Sequence, residues 1–378
     1  MNDEDLMKQI SFDDLKPKSK ITKQIRLIEL FAGIGAQAKA LENLGADFEH
    51  YRICEFDKFA VKSYNAIHGT EFTTSDITKI LGADLGIVNK DRYCYIMTYS
   101  FPCQDLSICG KQKGMSKSGN TRSGLLWEVE RLLNEVDNLP DVLLMENVVQ
   151  VHSNKNRADF NKWILFLENK GYSNYYADLN SKNFGVAQNR NRCFMVSILG
   201  DYSYEFPQAE QLDKVMLDYL ENKVDEKYFL SLAGVNYVTN PKRKRFIKFN
   251  PKVACAILAR VNSNWNGNFV ACDMAGTIHG EYWDKMFESC RRIYYPTGLS
   301  PTVTTQRGGG QGIKIVADTE PLRLRKLTPR ECFRLMDFTD EDIDKCYAIG
   351  MGDAQLYKQA GNSIVVRVLE RIFEQLIN

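Results

Sequence analysis

The sequence predicts an α/β fold: a doubly wound, mostly parallel sheet carrying a smaller, irregular, β-rich domain. Three observations predict it. Strand-like and helix-like segments alternate through the first half of the chain, as crossover-connected parallel sheets require. A glycine-containing turn, Phe31-Ala32-Gly33-Ile34-Gly35-Ala36-Gln37-Ala38, follows the first apolar run and opens a helix. After about Gly200 the alternation stops, and Asn, Gly, Arg and Tyr accumulate among short β-like pieces. In order, Ile25–Leu30 reads as a strand and Ala36–Leu44 as a helix closed by Gly45. A short strand over Tyr51–Cys54 and a helix over Lys58–Ile67 follow. The apolar runs Tyr93–Met97 and Val142–Met145 are buried strands. Asn156–Lys170 is a helix closed by Gly171, and Cys193–Leu199 is a further strand. Helical patterning returns at Thr328–Met336, and an amphipathic helix spans Ile364–Ile377. The expected division is a catalytic and cofactor-binding domain over 1–200, completed by 345–378, with a second domain over 201–344.

Composition sets bounds on function. Of 378 residues, 44% are hydrophobic and 26% charged, an ordinary globular balance. No apolar run is long enough to span a bilayer and no secretory pattern is present, so a cytoplasmic setting without membrane contact is expected. Ten cysteines show neither Cys-x-x-Cys pairs nor matching His spacing. Reduced thiols follow from that pattern, with no metal and no disulfide framework. A net charge of +1 does not by itself suggest nucleic acid. The basic residues do cluster, at Lys242-Arg243-Lys244-Arg245 with Lys248 and at Arg323, Arg325, Lys326, Arg330 and Arg334. Either cluster reads as a solvated surface or as a set of phosphate contacts.

Chemistry concentrates at strand ends. Ser100-Phe101-Pro102-Cys103-Gln104 forms a rigid corner after a buried strand, where open α/β sheets bind ligands. Cys103 there is either a nucleophile or a buried cysteine beside a turn proline. Glu146-Asn147-Val148 follows another strand. It reads as a helix-capping pair or as a carboxyl group which, with a pKa raised by burial, acts as a general acid. Arg190 and Arg192 alternate along a strand, so they share a face and can meet one anionic or carbonyl group. Glu55, twenty residues after Gly35, is placed to hold ribose hydroxyls, and Asp76-Ile77 to meet an adenine. These features admit NAD, FAD or S-adenosylmethionine. Gly361-Asn362-Ser363 reads as a helix N-cap or as a turn that closes over a ligand.

The order of these motifs resembles the cytosine-5 DNA methyltransferases of bacterial restriction–modification systems. The matching stretches are Phe31 to Gly35, Phe101 to Gln104, Thr121-Arg122-Ser123-Gly124-Leu125-Leu126-Trp127, Glu146 to Val148, Gln188-x-Arg190-x-Arg192, Arg325 to Cys332 and Gly361 to Ser363. They run from about Ile25 to the end of the chain. The stretch from about Asp201 to Thr297 lacks family motifs, and it corresponds to the family's variable target-recognition region.

The resemblance implies a methyltransferase fold that uses S-adenosylmethionine, and a role for each matched residue. Cys103 adds to carbon 6 of a cytosine swung out of duplex DNA. Glu146 engages N3 and the amino group, Arg192 the carbonyl, and Arg190 supports Glu146. Phe31 stacks on adenine, Gly33 and Gly35 pack against the cofactor, Glu55 takes the ribose and Asp76 the adenine amino group. Phe56, Ile77, Pro102 and Leu125 line the same pocket, and Asn362 and Ser363 close its methionine end. Gln104 to about Arg122 resembles a mobile active-site loop. Within it Ser107, Ile108 and Cys109 face the gap left by the flipped base, many relatives carrying serine at the Cys109 position. In the second domain, Arg291, Arg292, Thr302 and Arg307 are the candidates for DNA contact. The expected agent is a monomer acting on duplex DNA, with a cognate restriction endonuclease acting separately where one exists. Other readings are tRNA cytosine-5 methylation by the same chemistry, a DNA-binding regulator without catalysis, and a Rossmann oxidoreductase. The long Asn- and Arg-rich variable region favours duplex DNA over tRNA, and intact Cys103, Glu146 and Arg192 argue against a regulator.

Overall fold

The computed structural model describes residues 16–18, 20–103, 106, 114–117, 122–240, 242, 247–259, 267–271, 276–277, 292–293 and 324–377. Its centre is a six-stranded sheet. The first strands are β1 (Gln24–Leu30), β2 (Phe48–Cys54), β3 (Tyr93–Tyr99), β4 (Val142–Val148) and β5 (Tyr172–Asn180). After a two-residue strand, β6 (Gln188–Asn189), comes β7 (Asn191–Leu199), and the spatial order is β2-β1-β3-β4-β7-β5. β1 pairs in parallel with β2 and β3, and β3 with β4. β7 runs antiparallel to both β4 and β5. The reason lies in the connection: parallel neighbours need a crossover of a dozen or more residues, and only residues 181–190 separate β5 from β7.

Strand alternation sends alternate side chains to opposite faces. In β4, Val142 and Leu144 join one core while Leu143 and Met145 join the other. The second core is covered by α3 (Leu126–Glu135) and α4 (Arg157–Asn169). The first is covered by α1 (Ala36–Asn43) and α2 (Lys58–His68), together with helices from the far end of the chain. Those are α6 (Pro329–Leu335), α7 (Asp340–Ala348), α8 (Asp353–Asn362) and α9 (Val366–Ile377). Leu369, Ile372, Phe373 and Leu376 of α9 are fully buried in that core, alongside Ala40 and Leu41 of α1. Chain from both ends of the sequence thus covers this face of the sheet.

Outside the sheet, α5 (Leu232–Thr239) lies over a small core of Val235, Val238, Ile247, Phe269 and Leu324. The latter three belong to β8 (Ile247–Phe249), β10 (Gly267–Ala271) and β13 (Leu324–Lys326), a three-stranded sheet. The remaining short strands are β9 (Ala254–Cys255), which pairs with β6, and β11 (Gly276–Thr277), which pairs with β12 (Arg292–Ile293). Among the described residues no helix is long and apolar enough to cross a membrane.

Candidate active site

Register builds the corner after β3. Tyr99 pairs with Met145, so Ser100 stands beside Glu146 as β3 ends. Glu146 lies within β4, opposite Phe194 of β7, rather than after the strand as the apolar run alone suggested. Its neighbour Asn147 points to the other face, where Nδ2 donates to the Phe101 carbonyl at 2.9 Å. Ser123 Oγ donates to the next carbonyl, that of Pro102, at 2.7 Å. With two successive carbonyls held and the Phe101 ring buried, the corner presents Cys103 partly exposed at the carboxyl end of the sheet. Trp127 Nε1 donates to the Met115 carbonyl at 2.7 Å, which ties the following loop to α3. Ser123 and Asn147 sit inside matched motifs, yet sequence reasoning had assigned neither of them a role. The signal for Asn147 was strand alternation, which turns it away from Glu146 and toward the corner.

Charge surrounds the thiol. Glu146 is 8% exposed, and its Oε1 lies 3.2 Å from Arg192 Nε. Arg192 pairs with Val148 across the ladder, so Arg192 and Glu146 are diagonal neighbours on one face of the sheet. Burial pushes the Glu146 carboxyl up from the ordinary carboxylate range, against the pull of Arg192 and Arg190. Burial also raises the Cys103 thiol, and the Glu146 charge adds to that, while Arg192 and Arg190 oppose it. A carboxyl group able to hold a proton therefore stands beside a thiol whose ionisation two guanidinium groups favour.

Arg190 does more than share that field. It is buried between β6 and β7, and its Nη1 donates to the Ile257 carbonyl at 2.9 Å. Nη2 donates to the carbonyls of Ser363 at 2.7 Å and Gly361 at 3.2 Å. Burial lowers its pKa to about 9. Arg192 meets the carboxylate and Arg190 turns to main-chain oxygens, so the two do not converge on one group. Gln188 acts in the same region. Its Nε2 donates to the Leu335 carbonyl at 2.6 Å and its Oε1 accepts from Ile257 N at 2.9 Å. Gly361 is a close-approach glycine, since a side chain there would begin 2.1 Å from Ala259 N. Gly361 and Asn362 end α8 and Ser363 caps its carboxyl end, so this stretch closes one helix rather than opening the next. Asn362 is exposed and Ser363 buried.

The glycine turn follows β1. Phe31, Gly33 and Gly35 all have positive φ, at 59°, 58° and 79°. A non-glycine residue rarely adopts that region, so Phe31 is a strained position at a candidate site. No described atom lies within 4 Å of where a Gly33 side chain would begin, which leaves the turn open on that side. Gly35 differs, because a side chain there would meet His68 Nε2 at 2.3 Å and Tyr64 at 2.6 Å. Packing of α2 accounts for that glycine. Glu55 Oε2 accepts from Gly33 N at 2.9 Å and Oε1 from Asp57 N at 2.8 Å. Asp76 accepts from the Thr78 amide and hydroxyl, and these bonds hold its pKa down. Phe56 is 77% exposed and Ile77 buried, while Pro102 and Leu125 are half-buried. Ser107, Ile108, Cys109, Arg291, Thr302 and Arg307 lie outside the described residues, and Arg292 is described only through the backbone of β12.

Of the second basic cluster, Arg323 lies outside the described residues and Arg325 turns inward. Arg325, 3% exposed, forms a two-pronged pair with buried Glu331 at 2.8 Å on each prong. Glu331 also completes a capping box with Thr328, with Pro329 at the start of α6. Arg334 pairs with Asp340, and Arg330 with Asp344 and Glu221. Arg325 is thus neither solvated nor available to phosphate, whereas Arg330 and Arg334 are half-buried and each is matched by a carboxylate from the same chain.

Comparison with known proteins agrees with this geometry. The family described as C-5 cytosine-specific DNA methylase matches residues 25–378. The type II methyltransferase M2.ScrFI of Lactococcus lactis subsp. cremoris is 31% identical over 93% of this chain and 99% of its own length. The orphan methyltransferase M.SssI of Spiroplasma monobiae is 30% identical over 94% of this chain and 98% of its own length. In fold, the chain is similar to the S. pombe Dnmt2 methyltransferase, with a TM-score of 0.66 at 21% identity, covering 92% of this chain and 97% of that one. The chain belongs to the C-5 cytosine-specific DNA methylase family and is a DNA (cytosine-5) methyltransferase.

Proposed function

We propose that the chain methylates carbon 5 of a cytosine flipped out of duplex DNA, through a transient covalent bond to Cys103. The observation that carries this reading is the buried Glu146–Arg192 pair beside the Cys103 thiol at the carboxyl ends of β3 and β4. Cytosine C5 is a poor nucleophile inside an intact ring. Bonding of Cys103 Sγ to C6 places electron density on C5, dividing one hard step into two. The proton that burial lets Glu146 hold sits at N3 as that density develops, and Arg192 takes the carbonyl oxygen. Once C5 carries the methyl group, loss of its proton breaks the C6–S bond and the thiolate returns. A base inside the stack is out of reach, so extrusion must precede all of this.

The turn after β1 fits S-adenosylmethionine, which when bound supplies the methyl group. Gly33 is open, and Glu55, with oxygens already bonded to Gly33 and Asp57, keeps lone pairs for ribose hydroxyls. Phe31, Phe56, Asp76, Ile77, Pro102, Leu125, Asn362 and Ser363 complete the proposed pocket. We assign 1–200 with the carboxyl-terminal return to catalysis and the stretch from 201 to target recognition. The packing of α6 and α7 into the first core supports counting that return from about Leu327, just after β13. The enzyme is proposed to act as a monomer. Its relatives include both type II and orphan methyltransferases.

The test is a duplex carrying 5-fluorocytosine at the target, where fluorine cannot leave as a proton does. Wild-type protein should give an adduct that survives denaturation, and Cys103→Ala none. An adduct that persists in Cys103→Ala would assign the nucleophile elsewhere.

A further inference from the structure

We infer that Glu42, His50 and His68 form a binding site for a divalent transition metal of the zinc class, behind the glycine turn. Sequence spacing does not reveal it, because the three side chains come from α1, β2 and α2. Their ligand atoms lie within 4.8 Å of one another. Glu42 Oε1 is 2.6 Å from His68 Nδ1 and 3.5 Å from His50 Nε2.

The second nitrogen of each ring decides the chemistry. His68 Nε2 lies 3.1 Å from the Ile34 carbonyl, which can only accept, so a proton on Nε2 serves that bond and Nδ1 is the nitrogen left for a metal ion on the Glu42 side. His50 Nδ1 lies 3.1 Å from the Tyr64 hydroxyl, which donates its own proton to buried Glu29. His50 Nδ1 therefore carries the proton, and the Nε2 lone pair faces Glu42. Outer hydrogen bonds of this kind orient imidazoles that bind metals. Two imidazole nitrogens and one carboxylate oxygen form the donor set of a three-ligand zinc site, in which a water would supply the fourth ligand.

Without an ion, the 2.6 Å contact requires a proton shared by His68 and Glu42. The ion takes its place and the proton leaves to solvent. Lys39 stands on the other Glu42 oxygen, Oε2, at 3.6 Å, and is anchored by Asp342 at 2.9 Å. A second donor cluster, His152, Asp178 and Cys193, is a weaker candidate, because Cys193 is fully buried and burial holds its thiol protonated. Occupancy at Glu42 would fasten α1, β2 and α2 together. Through His68 it would also fix the Ile34 carbonyl of the turn proposed to hold the cofactor.

The test uses the full chain, stripped with a chelator, desalted and titrated with cobalt chloride, then with zinc chloride. One cobalt ion per chain should bind with the visible bands of a four-coordinate ion and no sulfur-to-cobalt band, and one zinc ion should displace it. Glu42→Gln and His50→Ala should each weaken binding more than roughly tenfold while circular dichroism stays unchanged. Cys193→Ser should keep the wild-type spectrum. Absence of the visible bands, a sulfur-to-cobalt band, or undiminished affinity in a folded Glu42→Gln or His50→Ala variant would each overturn the assignment.

Discussion

Cys103 feels two opposing influences, and they make its ionisation a readout of its neighbours. Burial and Glu146 favour the thiol, whereas Arg192 and Arg190 favour the thiolate. Replacing Glu146 by Gln removes a negative charge, so the thiol pKa falls and the thiolate appears at lower pH. The rate of Cys103 alkylation plotted against pH should therefore shift to lower pH in Glu146→Gln. Methyl transfer in the same variant should drop by roughly 10²–10⁴-fold in single turnover, because no proton remains to be held at N3. DNA affinity should change far less. A variant that alkylates faster yet transfers methyl at the normal rate would make Glu146 a positioning group only. At Glu55 the expectation concerns binding. Glu55→Ala removes the acceptor for Gly33 and Asp57 as well as the proposed ribose contact, and calorimetry should show S-adenosylmethionine affinity falling by about 1.5–3 kcal/mol. Unchanged affinity would show that the ribose is held by other groups.

The element-scale device is the clamp formed by Arg190, Gln188 and Gly361. It joins the start of β7 to the segment at Ile257 and to the end of α8. The clamp explains why motifs far apart in sequence belong to one working unit. The bonding capacity of a buried guanidinium goes largely to main-chain carbonyls, which only folding brings within reach. Gly361→Ala tests the clamp without removing a charge. The new methyl would meet Ala259 N at 2.1 Å and the Leu258 carbonyl carbon at 2.3 Å, both backbone atoms that cannot rotate aside. We expect a loss of about 1–3 kcal/mol, typical of overpacking, measured by thermal or denaturant unfolding. Wild-type stability in this variant would show that the 257–259 segment moves freely.

At the scale of the whole molecule, we propose that the α/β unit carries the chemistry and the stretch after Gly200 the choice of sequence. Arginine suits two-pronged contact with guanine in the major groove. Removing a base-reading arginine costs about 1–3 kcal/mol and relaxes choice at one position, while losing a phosphate contact weakens every site alike. Arg291→Ala, Arg292→Ala and Arg307→Ala should thus be compared by methylation profiling on a randomised duplex library. At least one should relax a single position. Three unchanged profiles would move the readers to another part of 201–344.

Local sequence carried much of this molecule by itself. Apolar periodicity marks β1, β3, β4 and the helices α1, α2, α4 and α9, because burial follows from the local spacing of apolar residues. The turn after β1 and the Pro102-Cys103 corner were legible for the same reason: backbone geometry at those points restricts residue type. β5 escaped, since Tyr172–Asn180 is an edge strand rich in Asn and Tyr whose burial depends on β7. α7 and α8 escaped as well, being short helices stabilised by packing against α2 and α6. Only the tertiary structure decided that Glu146 lies inside β4, that Arg190 and Arg192 part company, and that Arg325 answers a buried carboxylate rather than solvent. It alone assembled Glu42, His50 and His68. Each of these depends on which groups the fold brings together, and that is set by sheet register and helix packing, which no local pattern encodes.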